Sequence, residues 1–398
     1  MKPRHGKNVY LAAPVRTPIG KFGGALSALK AADLGTIAAV ETIELAGIDA
    51  EQVDEVIIGC ARQAGIGPNV ARQISHKSGC PDTVPAFTIS QACGSGLKSI
   101  ISAYQAIALG DAEIVLAGGT ESLSNTPYLI MNGRWGYRLG HDQLVDSMYQ
   151  DGYLCPLCNE IMGETAENLA EKYDVPRKES DEYALMSQQR YAAAQKSNRF
   201  VDEITAVEIA DKRGKVSVVN TDEHPRPETT LETLAKLKPV FKENGTVHAG
   251  NASGITDGAA TVLVVSEERK QDLGSQPFAR VLDYTVVGVD PALMGIGPVP
   301  AVQKLLRRNR LHLDDIELIE LNEAFAVQVL ACQRELGFDM EKVNVNGGAI
   351  ALGHPTGCTG TRITVTLLHE MARRDATLGI STLCVSGGMG VALLVERV

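Results

Sequence analysis

Aromatic side chains are scarce, at 5% of 398 residues, whereas glycine is plentiful at 39. With 44% hydrophobic residues and no long low-complexity segment, that balance suits close-packed α/β layers and excludes a disordered or fibrous chain. Positive charge is also short: 38 Lys and Arg stand against 48 Asp and Glu, a formal net charge of −10. This argues against a nucleic-acid partner, because phosphate binding depends on clustered Lys and Arg. A local basic patch for an anionic ligand stays open. No apolar run is long enough to cross a membrane, and the basic opening Met1–Lys7 runs straight into a strand without the apolar core or cleavage site of a signal peptide. The eight cysteines lack the spacing of a disulfide scaffold, so a reducing cytoplasm is the expected setting. Cys155-Pro156-Leu157-Cys158 has no second C-x-x-C and no paired histidines beside it, which favours an unreactive pair over a redox or zinc site.

The chain is long enough for two or three domains. Strand-like runs at Val9–Ala12, Val56–Ile58, Phe87–Ser90 (read as buried) and Ile114–Ala117 alternate with helical patterns at Ala31–Ala46 and Leu97–Leu109. After Glu121 comes a polar stretch, then two charged amphipathic helices from Glu164 to Lys196, which together look like an insertion. The βα rhythm resumes with Arg280–Val287, Glu317–Leu321, Val343–Val345 and Thr382–Val385.

The two βα blocks echo each other. Gly65-Ile66-Gly67-Pro68 returns as Gly295-Ile296-Gly297-Pro298, and Val53-Asp54-Glu55-Val56 as Leu313-Asp314-Asp315-Ile316. Gly94-Ser95-Gly96, helix, strand, Gly118-Gly119 parallels Cys358-Thr359-Gly360, helix, strand, Gly387-Gly388. A duplicated fold with a cleft between the halves follows, and the loops at the carboxyl ends of the strands should converge there.

Four segments then come together. Cys93, between an apolar strand and a helix, lies where unpaired N–H groups and the helix dipole favour a thiolate. His354, in Gly353-His354-Pro355-Thr356-Gly357, supplies the base that such a thiol needs. Cys384, at the head of Cys384-Val385-Ser386-Gly387-Gly388-Met389-Gly390, offers a second thiol to carry a proton in another step. Asn322, in Asn322-Glu323-Ala324-Phe325, has an amide suited to hold a water or carbonyl oxygen. Backbone N–H groups at Cys93 and in the glycine run after Cys384 suit an oxyanion hole. The combination reads as acyl transfer through a thioester on Cys93.

These motifs, with Asn344-Val345-Asn346-Gly347-Gly348-Ala349, Gly118-Gly119-Thr120-Glu121-Ser122 and Gly250-Asn251-Ala252-Ser253-Gly254, resemble the thiolase family nearly end to end. The resemblance implies an α/β fold of duplicated βαβαβαββ halves in an α/β/α/β/α core. Residues 1–123 would form the first half, completed by about 256–275, with an inserted loop domain over 124–255 and the second half over 276–398. It implies that Cys93 takes the acyl group, His354 activates it, and Cys384 moves the proton on the second substrate. Asn322 and His354 would make one oxyanion site, the N–H groups of Cys93 and Ser386 the other. Coenzyme A, a substrate and not a cofactor, would lie over the insertion, with Ser253 and Ala249 near the pantetheine and Arg226 near the nucleotide; Met162, Met294 and Phe325 complete the expected substrate-binding set. No metal is implied. The expected partners are acyl-CoA and CoA, and the expected assembly a homodimer or homotetramer.

Two positions depart from the family pattern. Ser386 stands where glycine is usual, and Ile161 where short-chain biosynthetic members carry His before the Met. The first keeps its N–H but would narrow the acyl pocket or disturb the backbone geometry; the second removes a hydrogen-bonding group and suggests a different or bulkier acyl chain, against which Met294 matches the short-chain pattern. The rivals are a ketoacyl-synthase-like condensing enzyme, a non-catalytic CoA- or lipid-binding relative, and a redox protein built on Cys155 and Cys158.

Overall fold

The computed structural model describes residues 1, 3–210, 213–276 and 278–398; Lys2 of the basic opening lies outside them. In chain order the main elements are β1 (Val9–Arg16), α1 (Ala31–Ala46), β2 (Glu55–Gly59), α2 (Val70–Lys77), β3 (Ala86–Ile89), α3 (Ser95–Leu109) and β4 (Ile114–Ser122). Then come α4 (Met162–Lys172), α5 (Arg177–Lys196), β5 (Thr256–Ser266), β6 (Ala279–Gly288), α6 (Pro298–Asn309), β7 (Leu318–Leu321), α7 (Ala326–Leu336), α8 (Thr356–Arg374), β8 (Leu378–Val385) and β9 (Met389–Arg397).

The sheet runs β7-β8-β9-β6-β1-β5-β4-β2-β3, with a short strand, Gly20–Lys21, paired to β5. Its midline is thin: β1 and β6 meet only at Tyr10↔Arg280 and Leu11↔Ala279. Two half-sheets therefore fold about this seam and enclose α3 and α8, while α1 and α2 cover one outer face and α6 and α7 the other. The strand order is the same on each side of the seam: β1-β5-β4-β2 is matched by β6-β9-β8-β7, and both antiparallel pairs at the seam carry a register shift, between Ala12 and Val15 and between Val281 and Asp283.

The middle helix α8 is buried on every side from Thr356 to Met371. Its threonines remain tolerable because their hydroxyls are spent: Thr361 donates to Gly96 O at 2.9 Å and Thr364 to Gly360 O at 2.9 Å. Glycine sets the closeness of the two central helices, since a Cβ on Gly360 would stand 2.2 Å from Leu97 N. The pairing of Gly94-Ser95-Gly96 with Cys358-Thr359-Gly360 is thus the echo that the helices share.

Several expectations need correction. Val343–Val345 is no strand: Asn344 is left-handed (φ 47) and Val343 makes a single bridge to Ile319. The Asn344 amide replaces the missing ladder, accepting from Leu321 N and donating to Leu321 O, each at 2.8 Å. β3 is an edge strand, not a buried one, and Phe87 is exposed. The acidic echo is three residues out of register, because the short turns before β2 and β7 end at Val53 and Ile316. Likewise Gly118 and Gly119 lie inside β4, whereas Gly387 and Gly388 lie in the turn after β8.

Candidate active site

Cys93 is aimed by a strained turn. Ala92 has φ 43, a left-handed conformation costly for a residue with a Cβ. Ser95 locks it, its Oγ accepting from Gln91 N at 2.8 Å and donating to Ala92 O at 2.6 Å. Burial raises the thiol above its ordinary range, opposed by the Arg62 charge and by the nearby backbone N–H groups of Ser386 and of Cys93 itself. Burial therefore outweighs the helix opening that was expected to favour a thiolate. Cys93 and Ser386, whose N–H groups were expected to form an oxyanion pair, both line the cavity, and Ser386 carries a backbone N–H as glycine would. The turn needs glycine just beyond: Gly388 has φ 83, and a Cβ there would stand 2.3 Å from Val289 O.

His354 is buried in the loop before α8, its N–H donating to Gly254 O at 2.9 Å. Thr359 fixes the imidazole. Its Oγ1 lies 2.6 Å from His354 Nδ1 and 3.0 Å from Pro355 O; with the hydroxyl proton directed to Pro355 O it accepts from Nδ1–H, the tautomer that leaves Nε2 as the base. Nε2 is left as a bare lone pair with no protein partner. Burial, reinforced by the Arg362 and Arg62 charges, pushes the imidazole down to about 3, so it is neutral and able to accept a proton. Thr359→Val should lower the second-order rate of Cys93 acylation on the order of tenfold by freeing the tautomer, with Thr359→Ser restoring it; equal rates in rapid-quench measurements would remove this role.

Cys384, next to last in β8, is buried, and burial holds its thiol well above the ordinary range. A neutral thiol at this place can give and take a proton. Asn322 is also buried, but both its amide atoms lack protein partners and it does not line the cavity. The loops are braced by two acids absent from the sequence reading. Glu121 accepts from Ala61 N, Arg62 N, Thr356 Oγ1 and Gly357 N. Glu323 accepts from Tyr183 Oη, Ser187 Oγ, Asn344 Nδ2 and Ile350 N. Each ties segments far apart in sequence, which no local pattern reveals.

A cavity of about 580 Å³ joins these groups. Cys93, His354, Cys384 and Ser386 line it, as do Met162, Met294, Phe325, Ser253, Ala249, Arg226 and Ile161. Met162, Met294 and Phe325 are buried; Ala249 and Arg226 are exposed, at the mouth. Ser253 is held there by its N–H to Ala324 O at 3.0 Å. Cys155 and Cys158 are both free and lie outside the cavity wall, Cys155 fully buried. Among the described residues no group of three His, Cys, Asp or Glu is placed to hold a metal, and no helix is long and apolar enough to cross a membrane. Arg62, three residues beyond the end of β2, also lines the cavity.

A duplicated α/β fold that brings a cysteine, an unpartnered imidazole nitrogen and a second thiol into one cavity is the arrangement of an acyltransferase. Residues 9–268 match the thiolase N-terminal domain and residues 275–397 the thiolase C-terminal domain. The chain belongs to the thiolase family. It is 51% identical over 394 residues to an acetyl-CoA acetyltransferase of Syntrophomonas wolfei, covering 98% of this chain and 99% of that one. The crystal structure of the Bacillus anthracis acetyl-CoA acetyltransferase superposes with a TM-score of 0.96 at 47% identity, covering 98% of this chain and 99% of that one. Human mitochondrial 3-ketoacyl-CoA thiolase in complex with CoA superposes at 0.94 with 44% identity, covering 98% of each chain.

Proposed function

We propose that the chain is a thiolase that transfers acyl groups between 3-oxoacyl-CoA and CoA, or condenses acetyl-CoA with acyl-CoA in reverse, by a ping-pong route through acyl-Cys93. The observation that carries this is the single cavity that Cys93, His354, Cys384 and Ser386 line together, with the Nε2 of His354 left without a protein partner. As Sγ attacks the thioester carbonyl, His354 Nε2 takes the thiol proton and the carbonyl oxygen gathers charge between the N–H groups of Cys93 and Ser386; the C–S bond to CoA then breaks and His354 returns the proton to the departing CoA sulfur. In condensation Cys384 then removes a proton from the second acyl-CoA, whose enolate oxygen is stabilised by His354 and a water on Asn322; in cleavage it returns the proton.

CoA entry past Arg226, Ala249 and Ser253 fits their place at the mouth. The division into a half over 1–123 completed by about 256–275, an insertion over 124–255 and a half over 276–398 is supported by the insertion of β5 between β1 and β4. Assembly as a homodimer or homotetramer fits the open edge at β3 and the exposed Trp135 and Leu139 of the insertion. A cytoplasmic setting and a place in fatty-acid metabolism are in keeping with eight free cysteines and the acyl-CoA chemistry. Initial rates of acetoacetyl-CoA thiolysis should give parallel double-reciprocal lines as CoA is varied; intersecting lines would contradict the acyl-enzyme.

A further inference from the structure

Three arginines are buried in this molecule, and they are not alike. Arg16 is held by Glu203 and Asp222, each at 2.6 Å; Arg362, whose three guanidinium nitrogens lack hydrogen-bond partners and which does not line the cavity, has the charge of Glu320 at 3.8 Å. Arg62, 8% exposed, has neither: its Nε lacks any hydrogen-bond partner, and no ion pair reaches its guanidinium among the described residues. The acid beside it, Glu121, spends its carboxylate on the backbone N–H groups of Ala61, Arg62 and Gly357 and on the Thr356 hydroxyl. The Arg62 guanidinium therefore faces the cavity with no carboxylate paired to it, which suits it to take an anion that enters there.

The position says which anion. Arg62 shares the cavity wall with Cys93, Tyr153 and Ile161, and the Tyr149–Tyr153 segment covers it so closely that a Cβ on Gly152 would stand 2.2 Å from a guanidinium nitrogen. Lys21 and Arg226 are exposed, as suits the phosphates of a nucleotide, whereas Arg62 is closed in beside the nucleophile. No Asp or Glu among the described residues lines the cavity. The neighbouring Ile161 has no polar group with which to orient an acyl chain.

We propose that Arg62 receives a carboxylate at the far end of the acyl group that Cys93 carries, so that the preferred substrates are ω-carboxylated acyl-CoAs and the corresponding 3-oxoacyl-CoAs. This rests on the acyl-transfer reading above and names its substrate class. A planar guanidinium matches a carboxylate in a two-pronged geometry. An acyl group with an apolar end leaves the buried cation unpaired, and that difference selects against it.

The test compares acylation of Cys93 by succinyl-CoA and glutaryl-CoA with that by their neutral isosteres, 4-methylpentanoyl-CoA and 5-methylhexanoyl-CoA. The native protein should favour the carboxylated member of each pair by about ten- to a hundredfold in second-order rate. Arg62→Leu should reverse the ratio, and Arg62→Lys should keep part of it. A native preference for the neutral isosteres overturns the proposal, and that measurement needs no variant to fold. So does Arg62→Leu slowing all acyl-CoAs alike with an unchanged ratio, which would mean that Arg62 acts on the Cys93 thiol alone. Absence of Cys93 acylation by any acyl-CoA, acetyl-CoA included, overturns the acyl-transfer reading and this proposal with it; acylation by acetyl-CoA without a carboxylate preference overturns only this one.

Discussion

His354→Ala is expected to slow acylation of Cys93 by about 10²- to 10⁴-fold. The argument is one of proton supply. Burial keeps Cys93 a thiol, so attack on a thioester requires that its proton leave as the bond forms. Nε2 of His354 is a bare, unpartnered nitrogen in the same cavity, and Thr359 holds the ring so that this nitrogen is the basic one. The same geometry fixes a pH response. An ordinary imidazole loses basic character as pH falls through about 6.5, but His354, held at about 3, should show no such loss. Acylation rates should stay level through that range and decline only where His354 itself protonates. Stability carries the opposite cost: the unfolded chain takes up this proton near pH 6.5 and the folded one only near 3, so this group removes stability progressively as pH falls between them. Rapid-quench acylation from pH 5 to 8 checks the first part, and a His354→Ala rate within a fewfold of native would remove the residue from the mechanism.

Cys384→Ala separates the two half-reactions. The variant should still accept acetyl on Cys93, since Ser386 N–H, Cys93 N–H and His354 remain in place. It should lose condensation and 3-oxoacyl-CoA cleavage by about 10²- to 10⁴-fold, because the proton on the second substrate has no carrier. The thiol suits that task by staying protonated, because burial holds it up. Normal acetoacetyl-CoA formation by this variant would mean that another group moves the proton. Acylation that fails together with condensation would mean that Cys384 acts on Cys93 instead.

What the sequence made legible was local. The helix Ala31–Ala46 was readable to its ends because its apolar residues recur at helical spacing and Gly47 closes it at φ 67. Cys93, His354 and Cys384 were readable because each sits where a strand or a glycine turn meets a helix or loop. Asn344 shows the opposite case: flanked by valines it reads as strand, yet its own side chain bonds the edge of β7 and its backbone turns left-handed. Glu121, Glu323 and Thr359 were missed because their meaning lies in partners on other segments or on the far side of a loop. Arg62 was missed because a charge after a strand carries no sign of whether the fold will leave it unpaired. The glycine echo misled in register, since Gly118-Gly119 and Gly387-Gly388 serve a strand interior and a turn.

The central claim is that the acyl group resides on Cys93. Peptide mass spectrometry of the Cys384→Ala protein after incubation with acetyl-CoA tests it most directly, because this variant should hold the intermediate. Acetyl on the Cys93 peptide, absent when Cys93→Ala is added, is the predicted result; an unmodified Cys93, or acetyl found instead on another cysteine such as Cys158, would contradict the account.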